Sequence, residues 1–115
     1  MLTLNDIAHL ISPLLMNPNL RTYESENDTR SHDTLSRAAA ILVIIHCKHG
    51  TPHTLLTRRS SHLRFHTGEI SFPGGRYSNI NDLNLLDTAL RETREEIGLC
   101  FRAEDILGRL EPVHT

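Results

Sequence analysis

Tryptophan is absent from this chain, and only two tyrosines and three phenylalanines are present. The aromatic platforms on which single-stranded nucleic acid stacks are therefore missing. Charge of one sign is also lacking, since the formal net charge of -2 is too small to draw a nucleic-acid partner by bulk electrostatics. Two cysteines, Cys47 and Cys100, make no disulfide framework, and both are expected as reduced thiols in or near the core. No apolar run approaches the ~20 residues of a membrane span. The first residues also lack the basic start and cleavage pattern of a signal peptide. The expectation is a cytoplasmic protein with no nucleic-acid and no membrane partner. At 115 residues it makes one small domain, able to bury roughly two thirds of its unfolded surface.

What is present is unevenly distributed. Residues 1–37 read as an N-terminal helix and a polar linker. Thr3 or Asn5 caps a helix carrying Ile7, Leu10, Ile11 and Leu14 at helical spacing, and Pro13 and Pro18 stop it near Leu15. Asn17 to Asp33 is polar and carries no chemistry. Ala39 to Cys47, AAILVIIHC, is short, apolar and rich in β-branched residues, which predicts a buried strand in mid-sheet. Gly50 and Pro52 then mark a turn, and Thr54 to Arg59 is expected to pair back as a hairpin. His46, His49 and His53 crowd that turn, but no carboxylate or thiol set completes a metal site there.

The chemistry concentrates between Leu55 and Leu99. Glu69 to Phe72 predicts a short strand leading into Pro73-Gly74-Gly75, where glycine permits a turn and close backbone approach to a ligand. A polar loop from Arg76 follows, and Asn84 or Asp82 caps the next helix. On that helix Glu92, Glu95 and Glu96 return to one narrow arc at about 100° per residue, so three carboxylates repel on one face. A bound hard cation converts that repulsion into attraction, because Mg²⁺ takes oxygen ligands and keeps positions for waters and substrate phosphates. Leu86, Leu90, Thr93 and Ile97 lie on a separate arc with Ala89 at its edge, leaving one face to pack. Arg91 stands where its planar fork can orient a carboxylate. Gly98 takes the position of a C′ glycine. Upstream, Arg58, Arg59, Arg64 and His66 are candidate phosphate contacts. His62 and His66 have the spacing of a helical zinc pair, but Gly68 and the loop setting argue against a helix there.

The run R-E-x-x-E-E-x-G-L at Arg91, Glu92, Glu95, Glu96, Gly98 and Leu99, with Gly75 upstream, resembles the Nudix box, G-x5-E-x7-R-E-U-x-E-E-x-G-U with U apolar. Three departures stand out: the step from Gly75 to Arg91 is two residues longer, the first glutamate has no counterpart beyond Asp82 as the nearest acid, and Thr93 fills an apolar position. The upstream run L-L-T-R-R-S-x-x-L-R-x-H-x-G-x-x-x-F-P-G-G resembles the signature of the coenzyme A pyrophosphatase branch of Nudix hydrolases.

The resemblance covers residues 38–115 and implies an α/β (α+β) fold, a mixed sheet with the catalytic helix following a Gly-Gly loop. It implies metal-dependent hydrolysis of a diphosphate linkage in a nucleoside diphosphate derivative such as coenzyme A. Glu95, Glu96 and the carbonyl of Gly75 would hold Mg²⁺ or Mn²⁺. Glu92, oriented by Arg91, would bind a further metal or a water and act as general base. Arg58, Arg59, Arg64 and His66 belong to the coenzyme-recognition segment. An ADP-ribose-like substrate and an inactive Nudix binding or assembly module stay open as alternatives.

Asp105 to Glu111 predicts an edge strand ended by Pro112. Nudix domains continue from there with further strands and a second helix. The expectation is thus a partial domain lacking the C-terminal part of the fold, with an exposed apolar sheet face: a fragment, a truncated gene product, or a chain completed by a homodimer.

Overall fold

The computed structural model describes residues 35–58 and 68–113. Among these described residues six short strands precede one helix: β1 (Ala39–Ile41), β2 (Ile45–Lys48), β3 (Thr51–Thr54), β4 (Thr57–Arg58), β5 (Ile70–Ser71), β6 (Gly74–Arg76) and α1 (Leu85–Ile97). A 3₁₀ turn at Ala103–Asp105 follows. This is an α+β arrangement in three antiparallel two-stranded pairs, β1 with β6, β2 with β3, and β4 with β5. Among the described residues no helix is long and apolar enough to cross a membrane.

The apolar run at Ala39 to Cys47 does not form one buried strand. It serves two sheets: β1 pairs with β6 and β2 pairs with β3, so the chain changes partner between Ile41 and Ile45. Ile41 and Val43 are exposed. An apolar pattern reports a demand for burial but not which neighbour meets it. The second strand of the hairpin begins at Thr51 rather than at the expected Thr54, with Lys48 opposite Thr51 across the turn. His49 and Gly50 both take positive φ, as the two central positions of a tight type I′ hairpin do. Pro52 therefore sits inside β3, opposite Cys47, and a proline there is compatible with an edge strand. Thr57 and Arg58 pair instead with Ser71 and Ile70. The stretch expected to form a strand at Asp105 to Glu111 has only an isolated bridge at Arg109. Of the thiols, Cys47 is half-buried and Cys100 exposed, which places Cys100 outside the core. The expected helix near Leu15, the linker, and Arg59, His62, Arg64 and His66 lie outside the described residues.

The unit that positions the site is α1 packed on β1 and β6. Pairing of the two strands extends past both ends, through Leu42 N–H to the Pro73 carbonyl at 2.8 Å and Tyr77 N–H to the Ala38 carbonyl at 3.0 Å. Gly74 and Gly75 lie in β6 rather than in a turn, opposite Ile41 and Ala40. Their lack of side chains is spent on close approach. A Cβ on Gly74 would overlap the Ala40 carbonyl and the Ile41 backbone, and one on Gly75 would lie 2.7 Å from each Glu92 carboxylate oxygen. The glycine pair is thus the joint that lets β1, β6 and α1 meet.

Asn84 caps α1, its side chain accepting from Asp87 N–H at 2.8 Å, while Asp87 accepts from Leu83 N–H at 3.0 Å. This exchange satisfies one orphan donor of the helix start, the Asp87 N–H, and gives the Leu83 N–H just before the helix an acceptor. Gly98 closes the helix in the left-handed conformation, its N–H donating to the Arg94 carbonyl at 2.9 Å. The packing face is Leu86, Ala89 and Thr93 at spacings of three and four, all buried. Leu90 and Ile97 remain partly exposed. Thr93 is fully buried, and its hydroxyl has no hydrogen-bond partner among the described residues.

Candidate functional site

Arg91 is the centre of the site. Its guanidinium carries five N–H donors, and each has an acceptor. Nε donates to Asp82 Oδ1 at 2.8 Å, and Nη2 to Asp82 Oδ2 at 3.0 Å and to the Arg76 carbonyl at 3.0 Å. Nη1 donates to Glu92 Oε1 at 2.9 Å and to Glu95 Oε2 at 3.2 Å. One planar cation therefore ties the loop, the end of β6 and two helix carboxylates into a fixed array.

Asp82 is the residue that reading the sequence undervalued. It enters there only as the nearest acid or a possible helix cap, yet its side chain is 0% exposed and it closes its own loop. Ser78 N–H donates to Asp82 Oδ2 at 2.9 Å, and Asp82 N–H donates to the Ser78 carbonyl at 2.8 Å. The Thr88 hydroxyl, buried on α1, adds a third donor to Oδ2 at 2.9 Å. Burial pushes the Asp82 carboxyl up. The hydrogen bonds from Arg91, Ser78 and Thr88, with the Arg91 charge, outweigh that and hold it below its ordinary 3.8. Hydrogen bonding to Asp82 likewise raises Arg91 above its usual value, so Arg91 is a permanent cation. The available sequence signal was an acid in the loop between the glycine pair and the helix, but only folding reveals that this loop turns back onto Arg91.

The expected metal set divides. Glu92 lies against the backbone of Gly75, so that pair is brought together. Glu95 is drawn to Arg91, and Glu96 is exposed on the same helix. Among the described residues no group of three or more His, Cys, Asp or Glu side chains stands close enough to hold a metal ion. Glu92 and Glu95 instead share the Arg91 guanidinium, at 2.9 and 3.2 Å. The donor chemistry nonetheless fits a hard divalent ion, because Glu92, Glu95, Glu96 and a backbone carbonyl at Gly75 are oxygen donors on one helix face and its adjoining strand.

Beside this array lies an open hollow of about 430 Å³ whose walls include Asp82, Asp87, Arg91, Arg94, Glu95 and Phe101. Arg58, the described member of the expected phosphate contacts, is exposed on β4 and pairs with Ile70 of β5. His46 and His53 face each other across the β2–β3 hairpin with ring centroids 5.5 Å apart and stacked.

Comparison with known proteins agrees with this construction. The NUDIX domain family matches residues 35–115. The uncharacterized Nudix hydrolases NudL of Yersinia pestis (strain Pestoides F) and of Yersinia pseudotuberculosis serotype O:1b (strain IP 31758) are each 42% identical over 89 residues, covering 76% of this chain and 44% of the relative. The chain thus spans less than half the length of the curated relatives it matches. A glycine joint in β6, a capped acidic helix and an arginine gripping two of its glutamates, matched over residues 35–115, place this chain in the NUDIX domain family.

Proposed function

We propose that the chain carries the catalytic helix of a pyrophosphohydrolase that cleaves the diphosphate linkage of a nucleoside diphosphate derivative, with coenzyme A as the preferred substrate. The observation that carries this reading is Arg91 holding Glu92 and Glu95 at 2.9 and 3.2 Å beside Gly75. Glu92, Glu95, Glu96 and the Gly75 carbonyl would hold Mg²⁺ or Mn²⁺, which neutralises diphosphate charge and lowers the pKa of bound water. Glu92 orients the attacking water and takes its proton as the oxygen adds to phosphorus. The bridging P–O bond then breaks, and coenzyme A yields adenosine 3′,5′-bisphosphate and phosphopantetheine. Arg91 keeps Glu92 aimed and, being permanently charged, competes for no proton. Arg58, Arg59, Arg64 and His66 serve the substrate's phosphates, and the run from Leu55 to Gly75 is the reason for ranking coenzyme A above ADP-ribose.

The test is product formation from coenzyme A and from ADP-ribose with Mg²⁺ or Mn²⁺, for the unmodified chain and for Glu92→Gln and Glu95→Gln. Metal-dependent cleavage of coenzyme A lost in Glu92→Gln supports the proposal. Undiminished turnover by Glu92→Gln removes Glu92 from the mechanism.

A second reading is a Nudix module that binds a cation without turnover. It is favoured by the sharing of Arg91 between Glu92 and Glu95 and by the exposure of the apolar residues Ile41, Val43, Leu56 and Ile70 on or beside the strands. Cation binding by a folded dimer that cleaves neither substrate would establish it.

A further inference from the structure

Asp82 has no place among the cation's ligands, yet it is the most deeply held charge near them, with a side chain 0% exposed and both oxygens bonded to Arg91. Arg91 in turn reaches Glu92 and Glu95 through Nη1. An unneutralised guanidinium at that position would compete with any divalent cation for the same two carboxylates, by ordinary Coulomb attraction. We propose that Asp82 is a positioning residue for cation binding: it neutralises Arg91 and tethers it by its Nε and Nη2 edge, so that Glu92 and Glu95 keep their combined negative charge for the metal. The inference rests on the metal-site reading above.

Electrostatic bookkeeping makes it specific. With Asp82 present, its charge cancels that of Arg91, and the charges of Glu92 and Glu95 are both available. With Asp82→Asn the Arg91 charge cancels one of them. Removing Arg91 as well, in Asp82→Asn/Arg91→Met, restores the balance without restoring the hydrogen bonds. A role limited to holding the loop in shape predicts no such recovery. Thr88 and the Ser78 N–H, which keep Asp82 Oδ2 bonded independently of Arg91, hold the counter-charge in place.

The experiment is calorimetric titration of Mn²⁺ into the full chain at low ionic strength, with helix content followed by circular dichroism. Asp82→Asn is expected to weaken Mn²⁺ binding about tenfold, Asp82→Glu to recover part of it, and the double variant to return to within about threefold of the unmodified chain while turnover stays lost. Unchanged affinity in Asp82→Asn beside clear binding by the unmodified chain overturns this proposal alone. So does a double variant as weak as the single one. If Asp82→Asn does not fold, the double variant decides: retained Mn²⁺ affinity supports the charge role, and lost affinity in a folded double variant refutes it. No Mn²⁺ binding by the unmodified chain overturns both this inference and the metal-site reading beneath it.

Discussion

Replacing Arg91 by lysine keeps the charge and removes the fork, which isolates what the geometry contributes. Arg91 makes five hydrogen bonds in one plane, whereas a lysine places its donors on one nitrogen. An ammonium that occupies the Asp82 position loses one bond of that bidentate pair, the bond to the Arg76 carbonyl at 3.0 Å and the bond to Glu92 at 2.9 Å. Each such charge-assisted bond in a partly buried setting is worth about 1 kcal/mol net. The Glu95 contact adds only a few tenths of a kcal/mol, because that side chain is 54% exposed. Arg91→Lys is therefore expected to lose about 3 kcal/mol of stability, a fall in Tm of about 15 °C for a domain this size. Urea denaturation followed by helix circular dichroism measures it directly. A loss below about 1 kcal/mol would refute the reasoning, because it would mean that charge near Asp82 matters and the planar fork does not.

Gly75→Ala pushes a methyl group into the Glu92 carboxylate, which is the movable end of a side chain. Stability should fall by no more than about 1 kcal/mol, while hydrolysis of coenzyme A should drop by about two orders of magnitude, read from product formation beside a urea melt. Thr93→Val replaces a buried hydroxyl that has no partner among the described residues with a methyl group of similar size, and is expected to raise stability by about 1 kcal/mol in the same melts. The depressed carboxyl of Asp82 sets the sign of an acid effect. Its stabilising contribution is fully present above its ordinary 3.8 and is lost as pH falls through the lower value it has in the folded chain. Stability of the unmodified chain should therefore fall more steeply below that pH than stability of Asp82→Asn, and parallel pH curves would contradict the assignment.

The helix was the most legible element because its signals are local. Asn84 stands just before Leu85, Gly98 just after Ile97, and the apolar and acidic arcs repeat at helical spacing. The strands were less legible for an equally physical reason. Burial preference in Ala39 to Cys47 is visible in the residues, but whether Ile41 pairs with Gly74 or with a nearer neighbour depends on a contact 33 positions away in sequence. Thr57 and Arg58 show the same limit, since their partners Ser71 and Ile70 lie beyond the nearest turn. The expected strand after Asp105 failed because a few apolar residues around Gly108 do not supply a partner ladder.

By itself the sequence determined the cap-to-cap extent of α1 and the grouping of Glu92, Glu95 and Glu96 on one side of it. These follow from helical periodicity and from the capping residues Asn84 and Gly98, both properties of neighbouring residues. Only the tertiary structure decided that the glycines are a packing joint inside β6 and that Asp82 is the buried anchor of Arg91. The first depends on β6 pairing with a strand 33 positions away and the second on a loop folding back onto the helix, where distance and burial, not residue type or spacing, set which groups meet.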